Sequence, residues 1–229
     1  PGGRSNAEVC QAPLPTVTPV VMAALLPGAG QALRLVNRDG HATAALGDVM
    51  LPTLTQRTEV LRTRYGQRFA DTTLAAFVHG KVKLPDGVEL LVIRSNTMDS
   101  HLESETETTL GLIFDSLKRI RVAIRKLREL GFQDVVIATD HGFFLNSHAE
   151  AGDVCAKPKG TWLNIHERTL LGNGTSDAAN FVLPAERLGV RGEFNQIAGP
   201  RAMVAYAAGQ WYFHGGASLQ EAVVPVIAV

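Results

Sequence analysis

The stretch "VVIATDHGFFL", residues 135–145, decides the expected fold. Its first part is an apolar run suited to a buried strand, and that run ends in the tripeptide Asp-His-Gly. Upstream, residues 104–130 repeat apolar side chains at steps of three and four, which predicts a long amphipathic helix. Before that helix, residues 88–95 form another almost continuous apolar run, typical of a central strand. The order of strand, long helix and strand predicts a βαβ unit with two parallel strands.

Polar groups able to hold a metal follow these predicted strands. In an open parallel sheet, ligands bind beyond the carboxyl ends of the strands. Three segments end with carboxylate or imidazole groups, which are Asp140 and His141, then Asp99, His101 and Glu103, and far downstream His214. Carboxylates and imidazoles without thiolates suit Zn²⁺ or Mn²⁺ held for hydrolysis. Two such ions about 3.5–4 Å apart would clamp a phosphoryl group.

The segment "LPTVTPVVMAALLPG", residues 14–28, adds a candidate nucleophile. It predicts a helix with Thr18 as its N-cap and Pro19 at the first helical position. A hydroxyl at a helix N-terminus lies beside unpaired backbone N–H groups, which bind phosphate. A threonine in this place is a plausible nucleophile for phosphoryl transfer. Thr18 is the first choice and Thr16 the weaker one.

Each of these features also has a simple structural interpretation. An Asp-His-Gly tripeptide is by itself most often a turn, and "PTVTP" is most simply a helix N-cap. Single histidines are more often surface or core residues than ligands. Four further histidines show no partner pattern and are predicted to be non-ligands, which are His41, His79, His148 and His166. The metal-site hypothesis therefore depends on the combination of motifs and on their order.

The bulk composition narrows the class of protein. The 229 residues include 22 Lys plus Arg and 22 Asp plus Glu, so no global charge indicates a nucleic-acid or membrane partner. No apolar run approaches the roughly 18 residues of a membrane span, and the start shows no signal-peptide pattern. Only Cys10 and Cys155 are present, which suits a reducing cytoplasm. A start without Met and an end inside the strand-like "VVPVIAV" predict a fragment of a longer protein.

The order of these motifs resembles the alkaline phosphatase superfamily. Three of the motifs are similar in amino-acid sequence to the PglZ-domain family: "LPTVTPVVMAALLPG", "ATDHGFFL" and "YFHGGASLQEAVVPVI". This family is associated with BREX and phage-growth-limitation phage defence. The resemblance runs from about Pro13 to Val229. It implies an α/β fold with a mostly parallel central sheet flanked by helices, an alkaline-phosphatase-like core that lacks its first strand. It further implies one domain over residues 1–229, with residues 142–200 as an insertion or variable region.

The resemblance also implies which residues act. The implied site contains one nucleophile and two sets of metal ligands: Thr18, with Thr16 as the weaker choice; Asp140 with His141; and Asp99 with His214. The second ligand of the last set usually follows its Asp by four residues, a position that Glu103 holds here, while His101 follows by two. Both stay open. The superfamily also uses an Asp on a strand upstream of the nucleophile, and nothing before Cys10 resembles that strand.

The function implied by the resemblance is a metal-dependent phosphoesterase acting in bacterial phage defence. It would use a threonine nucleophile and two divalent ions, zinc before manganese, on a phosphodiester such as a nucleic acid. The alternative is a catalytically weak or inactive assembly module that binds other phage-defence proteins in a BREX-type complex. A mutase or phosphonate hydrolase of the same superfamily is a third option, which is disfavoured because the motif sequences are more similar to the PglZ-domain family.

Overall fold

The computed structural model describes residues 5–102, 109–145, 154–208 and 211–229. The chain divides into two compact units. The first unit contains Glu59–Ile137 together with short segments from the two ends of the chain. The second unit contains Ala7–Thr58 and Ala138–Val226.

The strands of the described residues are short. In chain order they are β1 Asn6–Gln11, β2 Leu33–Arg38, β3 His41–Leu46, β4 Val49–Met50, β5 Phe69–Thr73, β6 Leu90–Arg94, β7 Val136–Ala138, β8 Phe144–Leu145, β9 Gly160–His166, β10 Thr169–Gly174, β11 Asn180–Pro184, β12 Gln196–Pro200, β13 Tyr212–Phe213 and β14 Val223–Ala228.

The α-helices of the described residues are α1 Thr18–Ala24, α2 Leu54–Tyr65, α3 Leu74–Val78, α4 Thr97–Leu102, α5 Thr109–Glu129 and α6 Leu219–Ala222. Short 3₁₀ turns cover Gly30–Ala32, Gly66–Arg68 and Ala185–Leu188. None of these helices combines the length and the apolar character that a bilayer span requires.

The first unit is built on the long amphipathic helix that the sequence predicts. The described part of this helix is α5, since residues 103–108 lie outside the described residues. Its C-terminal half packs against α3, where Ala123 and Leu127 join Leu74 and Phe77 in one buried cluster. Leu117, in the N-terminal half, is 48% exposed, so only part of the predicted apolar face is buried.

The described strands do not show the expected mostly parallel central sheet. The sheets β2–β3–β4, β11–β12–β10–β9 and β13–β8 are antiparallel, whereas β5 and β6 pair in parallel. Connection length is the physical reason, because short loops such as Asp39–Gly40 between β2 and β3 can join only antiparallel neighbours. The predicted βαβ strands also lie in different sheets, β6 beside β5 and β7 beside β14.

The described residues include one strand before Thr18, and this strand carries no Asp. Strand β1 includes Cys10 and belongs to the sheet with the order β1–β14–β7. No Asp occurs in the sequence before Thr18, so β1 is not the Asp-bearing strand that the superfamily pattern requires.

The second unit centres on the four-stranded antiparallel sheet. Its middle strands β10 and β12 contribute the most deeply buried side chains, with Leu170 and Leu171 fully buried and Ile197 1% exposed. Strand β10 pairs with β9 through a tight hairpin, and the register shifts between Thr169 and Leu170. This hairpin fixes the main chain around His166, at the end of β9.

Candidate active site

The threonine segment before α1 separates its two hydroxyls. Thr16 is fully buried, and its Oγ1 donates a 2.7 Å hydrogen bond to the carbonyl oxygen of Gly216. Val17, in extended conformation, is the N-cap of α1, so Thr18 is the first helical residue and not the predicted cap. The N-cap carries no side-chain hydrogen bond, and the Thr18 hydroxyl is used elsewhere. The Thr16 hydroxyl therefore has a structural contact with the main chain, whereas the Thr18 hydroxyl faces polar side chains.

The Thr18 hydroxyl meets the two polar residues that follow β7. Its Oγ1 donates a 2.7 Å hydrogen bond to Oδ2 of Asp140 and lies 3.4 Å from Nε2 of His141. The same Asp140 oxygen and His141 nitrogen lie 3.5 Å apart. The His141 side chain is 2% exposed and that of Asp140 15%. A hydroxyl, a carboxylate and an imidazole thus converge in a largely buried position.

Close packing requires a glycine at position 142, the last residue of the Asp-His-Gly tripeptide. A Cβ at position 142 would lie 2.0 Å from the carbonyl oxygen of Gln220, far below any normal contact. The Gly142 N–H donates a 2.9 Å hydrogen bond to the carbonyl oxygen of Glu221. The tripeptide is therefore held against the start of α6 by its main chain, which fixes the direction of His141.

His214 comes from the other end of the sequence and lies directly on His141. It follows β13, is 8% exposed, and stacks on the His141 ring with centroids 4.2 Å apart and planes 3° from parallel. His141 Nδ1 lies 3.1 Å from the Gly142 carbonyl oxygen, and His214 Nδ1 lies 3.4 Å from the Thr16 carbonyl oxygen. Because a carbonyl oxygen only accepts, the Nδ1 of each ring faces a hydrogen-bond acceptor.

A buried ion pair holds the loop that carries His214. Glu221, fully buried at N3 of α6, forms a capping box with Ser218 and also accepts 2.8 Å from the Gly216 N–H. The Arg168 Nε donates to both Glu221 oxygens at 3.0 Å. Thr169, next to Arg168, donates 2.6 Å to the Gly215 carbonyl oxygen. The side chains of Glu221 and Thr169 thus bond to the two glycines after His214, and Arg168 holds Glu221 in place.

The structure adds His166 to this group, a residue predicted to be a non-ligand. Its ring centroid lies 4.2 Å from that of His214, with the planes tilted by 40°. Its Nδ1 contacts the carboxylate of Glu167. No spacing in the sequence indicates this placement, because it depends on how the β9–β10 hairpin lies against the His214 loop.

Of the predicted ligands around Asp99, the structure describes the side chain of Asp99 alone. Asp99 lies in the first turn of α4, within the first compact unit, whereas every residue described above lies in the second. The side chain of His101 and the whole of Glu103 lie outside the described residues. Asp99, His101 and Glu103 stay predictions from the sequence.

The second unit supplies one carboxylate, from Asp140, and two imidazoles, from His141 and His214. Carboxylates and imidazoles are donor types that suit Zn²⁺ and Mn²⁺. An imidazole binds an ion in the plane of its ring. Since the rings of His141 and His214 are parallel and stacked, one ion cannot lie in both planes. The two imidazoles therefore fit two separate ions better than one shared ion.

Comparison with known proteins agrees with the order of these motifs. The family described as the BREX system PglZ alkaline phosphatase-like domain matches residues 3–229. The alkaline phosphatase-like protein PglZ of Bacillus cereus (strain H3081.97) is 28% identical over 232 residues, covering 95% of this chain and 26% of that protein. The chain thus spans about a quarter of that relative's length. The family expected from the motifs is confirmed, and the chain belongs to the PglZ family of alkaline phosphatase-like domains.

Proposed function

We propose that this domain is a metal-dependent phosphoesterase of a phage-defence system and that Thr18 is its nucleophile. The observation that carries the proposal is the 2.7 Å hydrogen bond from Thr18 Oγ1 to Asp140, with His141 Nε2 at 3.4 Å. A threonine whose hydroxyl faces a carboxylate and an imidazole has both a proton acceptor and a place for positive charge beside the reacting oxygen.

In the proposed reaction, Thr18 Oγ1 attacks the phosphorus of a phosphodiester. The bond from phosphorus to the leaving oxygen breaks with its electron pair, the hydroxyl proton passes along the hydrogen bond to Asp140, and the leaving alkoxide takes a proton from solvent. Water then attacks the phosphothreonine, Thr18 Oγ1 leaves and regains a proton, and a phosphomonoester is released. The net change is one diester and one water to one monoester and one alcohol.

A free threonine hydroxyl is too weak an acid for Asp140 alone to deprotonate. When bound, divalent cations supply the positive charge that lowers the pKa of that hydroxyl and stabilises the phosphoryl oxygens. Asp140 and His141 would hold one ion and His214 the other, with zinc before manganese as the metal. Asp99, with Glu103 or His101, is the proposed remainder of the second ligand set.

The test is hydrolysis of bis-p-nitrophenyl phosphate by the chain in Zn²⁺ or Mn²⁺. We expect Thr18→Val, which keeps the shape and removes the hydroxyl, to lose on the order of 10³-fold or more in turnover. Thr18→Ser keeps a hydroxyl and should retain measurable turnover. Thr16→Ser is the matched control, because it keeps the hydroxyl that bonds to the Gly216 carbonyl. Equal turnover by Thr18→Val and the wild type would contradict the mechanism.

The assembly-module alternative is favoured by one feature of the sequence, the stretch "DSHLE" at residues 99–103, in which Glu103 follows Asp99 by four residues and His101 by two. A module without metal chemistry would contain no zinc or manganese by elemental analysis and would show no thermal shift on adding either ion. Bound metal, or a rise in the melting temperature with metal, would reject this alternative.

A further inference from the structure

We propose that Glu221 is a positioning residue that sets the contact between the Thr18 hydroxyl and the Asp140 carboxylate. The inference deepens the proposed phosphoesterase and rests on it, because it assigns the proposed nucleophile a support from a distant part of the chain. Glu221 acts through the main chain of two segments, one that leads to Thr18 and one that carries Asp140.

The side chain of Glu221 is linked to the threonine segment by two hydrogen bonds. Its Oε1 accepts a 2.8 Å hydrogen bond from the Gly216 N–H. The carbonyl oxygen of Gly216 in turn accepts a 2.7 Å hydrogen bond from Thr16 Oγ1, and Thr16 also forms an antiparallel β-bridge with Gly215. Thr18 follows Thr16 by two residues, so the position of Gly216 sets where the Thr18 hydroxyl lies.

The main chain of Glu221 holds the other side of the same contact. Its carbonyl oxygen accepts a 2.9 Å hydrogen bond from the Gly142 N–H. Gly142 follows Asp140 by two residues, and the Asp140 carboxylate accepts the hydrogen bond from Thr18. One residue thus bonds to both segments, with its side chain to one and with its main chain to the other. A shift of Glu221 therefore changes the separation of the hydroxyl and the carboxylate.

The side chains of this support are buried. Thr16 and Glu221 are 0% exposed, and Thr169, which donates 2.6 Å to the Gly215 carbonyl oxygen, is 2% exposed. A Cβ at position 216 would lie 2.7 Å from Oε2 of Glu221, so the glycine lets the carboxylate approach the main chain. A buried N–H that loses its acceptor has no water to replace it. Loss of the Glu221 acceptor should therefore displace the loop of Gly215 and Gly216.

The charge of Glu221 can be separated from this hydrogen bond. The Arg168 Nε donates to both carboxylate oxygens, and the side chains of Arg168 and Glu221 are 3% and 0% exposed. Removing one partner of a buried ion pair leaves an unpaired charge, whereas replacing both partners by uncharged residues is often neutral for stability. Replacing both therefore preserves the fold and leaves the acceptor for Gly216 as the variable.

The experiment compares two double variants of the 229-residue chain that both lack the ion pair. Arg168→Met/Glu221→Leu removes the acceptor for the Gly216 N–H. Arg168→Met/Glu221→Gln keeps it, because the glutamine Oε1 can take the place of the carboxylate oxygen. With bis-p-nitrophenyl phosphate, we expect the leucine variant to lose about 10²-fold in kcat with little change in KM, since the nucleophile is misplaced and substrate binding is not. Glutamine at position 221 should restore most of that loss.

The stacked rings of His141 and His214 provide a readout that requires no turnover. Their centroids lie 4.2 Å apart, so each ring shifts the proton resonances of the other. His214 directly precedes the two glycines, and its ring moves when they move. In NMR spectra of the chain with labelled histidine, the leucine variant should lose this shift and the glutamine variant should keep it, while both retain the circular dichroism of the wild type.

Equal kcat and equal ring resonances in the two double variants would overturn the positioning role, whether both match the wild type or both lose activity. The proposed phosphoesterase would stand in that case if Thr18→Val alone abolishes turnover. A wild type without turnover would instead reject the phosphoesterase, and the ring resonances would still decide whether Glu221 fixes the loop. Arg168→Leu/Glu221→Met is a second variant without the acceptor, so a folding defect in one of them does not decide the result.

Discussion

Each compact unit contains a carboxylate paired with arginine, and the two pairs differ in burial. In the second unit, the side chains of Arg168 and Glu221 are 3% and 0% exposed. In the first unit, Asp71 contacts Arg94 and Arg62, whose side chains are 26% and 52% exposed. If Glu221 is lost, water cannot replace its carboxylate beside the buried Arg168. If Asp71 is lost, water can solvate the partly exposed Arg94 and Arg62. The comparison indicates that the loop carrying His214 depends on one carboxylate, whereas β5 and β6 of the first unit do not depend on Asp71 to the same degree.

Breaking the buried pair should have the largest effect on stability. Glu221→Gln removes the charge that compensates Arg168 and weakens the capping box, and we expect a loss of about 3–5 kcal/mol in the free energy of unfolding. Both tryptophans, Trp162 and Trp211, lie in the second unit, so urea unfolding is followed by far-UV circular dichroism, which reports on both units.

The control for this variant is Glu89→Gln, which breaks an exposed pair with Arg68 in the first unit. It should change stability by no more than about 1 kcal/mol. Similar losses in the two variants would mean that burial does not distinguish these pairs.

A methyl group at Gly142 should have the next largest effect. Gly142→Ala places a Cβ against the Gln220 carbonyl, and the main chain must move to relieve the clash. We expect a loss of about 1–3 kcal/mol, measured by the same circular-dichroism transition, together with reduced phosphodiester hydrolysis. Gly111→Ala, in α5 with nothing within 4 Å of the added Cβ, should instead stabilise by about 0.5–1 kcal/mol. A neutral Gly142→Ala would show that this contact is not tight.

The smallest effect is expected at Asp71 and should depend on pH. Burial raises the pKa of Asp71, but the hydrogen bonds and charges of Arg94 and Arg62 outweigh it and hold that pKa below its ordinary value of 3.8. A lowered folded-state pKa stabilises the fold above the unfolded pKa, and the contribution is lost as pH falls through the folded value.

We therefore expect Asp71→Asn to cost on the order of 1 kcal/mol at neutral pH, with the half-exposed Arg62 limiting the effect through solvent screening. The difference from the wild type should vanish in acid below the folded pKa of Asp71. Hydrogen exchange of the β5 and β6 amides at pH 7 measures the loss, and urea unfolding across acidic pH measures its disappearance. A difference that stays constant down to that pH would contradict the linkage.

Local pattern predicted the local elements of the fold. The apolar runs at residues 88–95 and 134–139 contain β6 and β7, and the described part of the long helix ends at Glu129, one residue before the predicted end. Strand direction was not predictable in the same way, because it depends on which strands pair. The polar Gly-rich stretch after residue 142 gives no strong period, and the hairpins there set an antiparallel arrangement.

The same division holds for the candidate site. Thr18, Asp140, His141 and His214 each lie in a short motif, and the structure brings all four together in the second unit. His166 has no such motif. Its position results from the hairpin register and from the close approach of Gly215, which are long-range features that one sequence does not display.

The contact between Gly142 and Gln220 restricts which amino acid can stand at position 142 but does not restrict position 220. The atom that excludes a side chain at 142 is the main-chain oxygen of residue 220, and the side chain of Gln220 is exposed. Any amino acid that keeps the α6 backbone supplies that oxygen. A library randomised at both positions and selected for folding should therefore recover glycine at 142 beside a broad range of residues at 220. The two positions touch, yet they would show no covariation, so a search for coupled substitutions would miss the contact that sets the direction of His141.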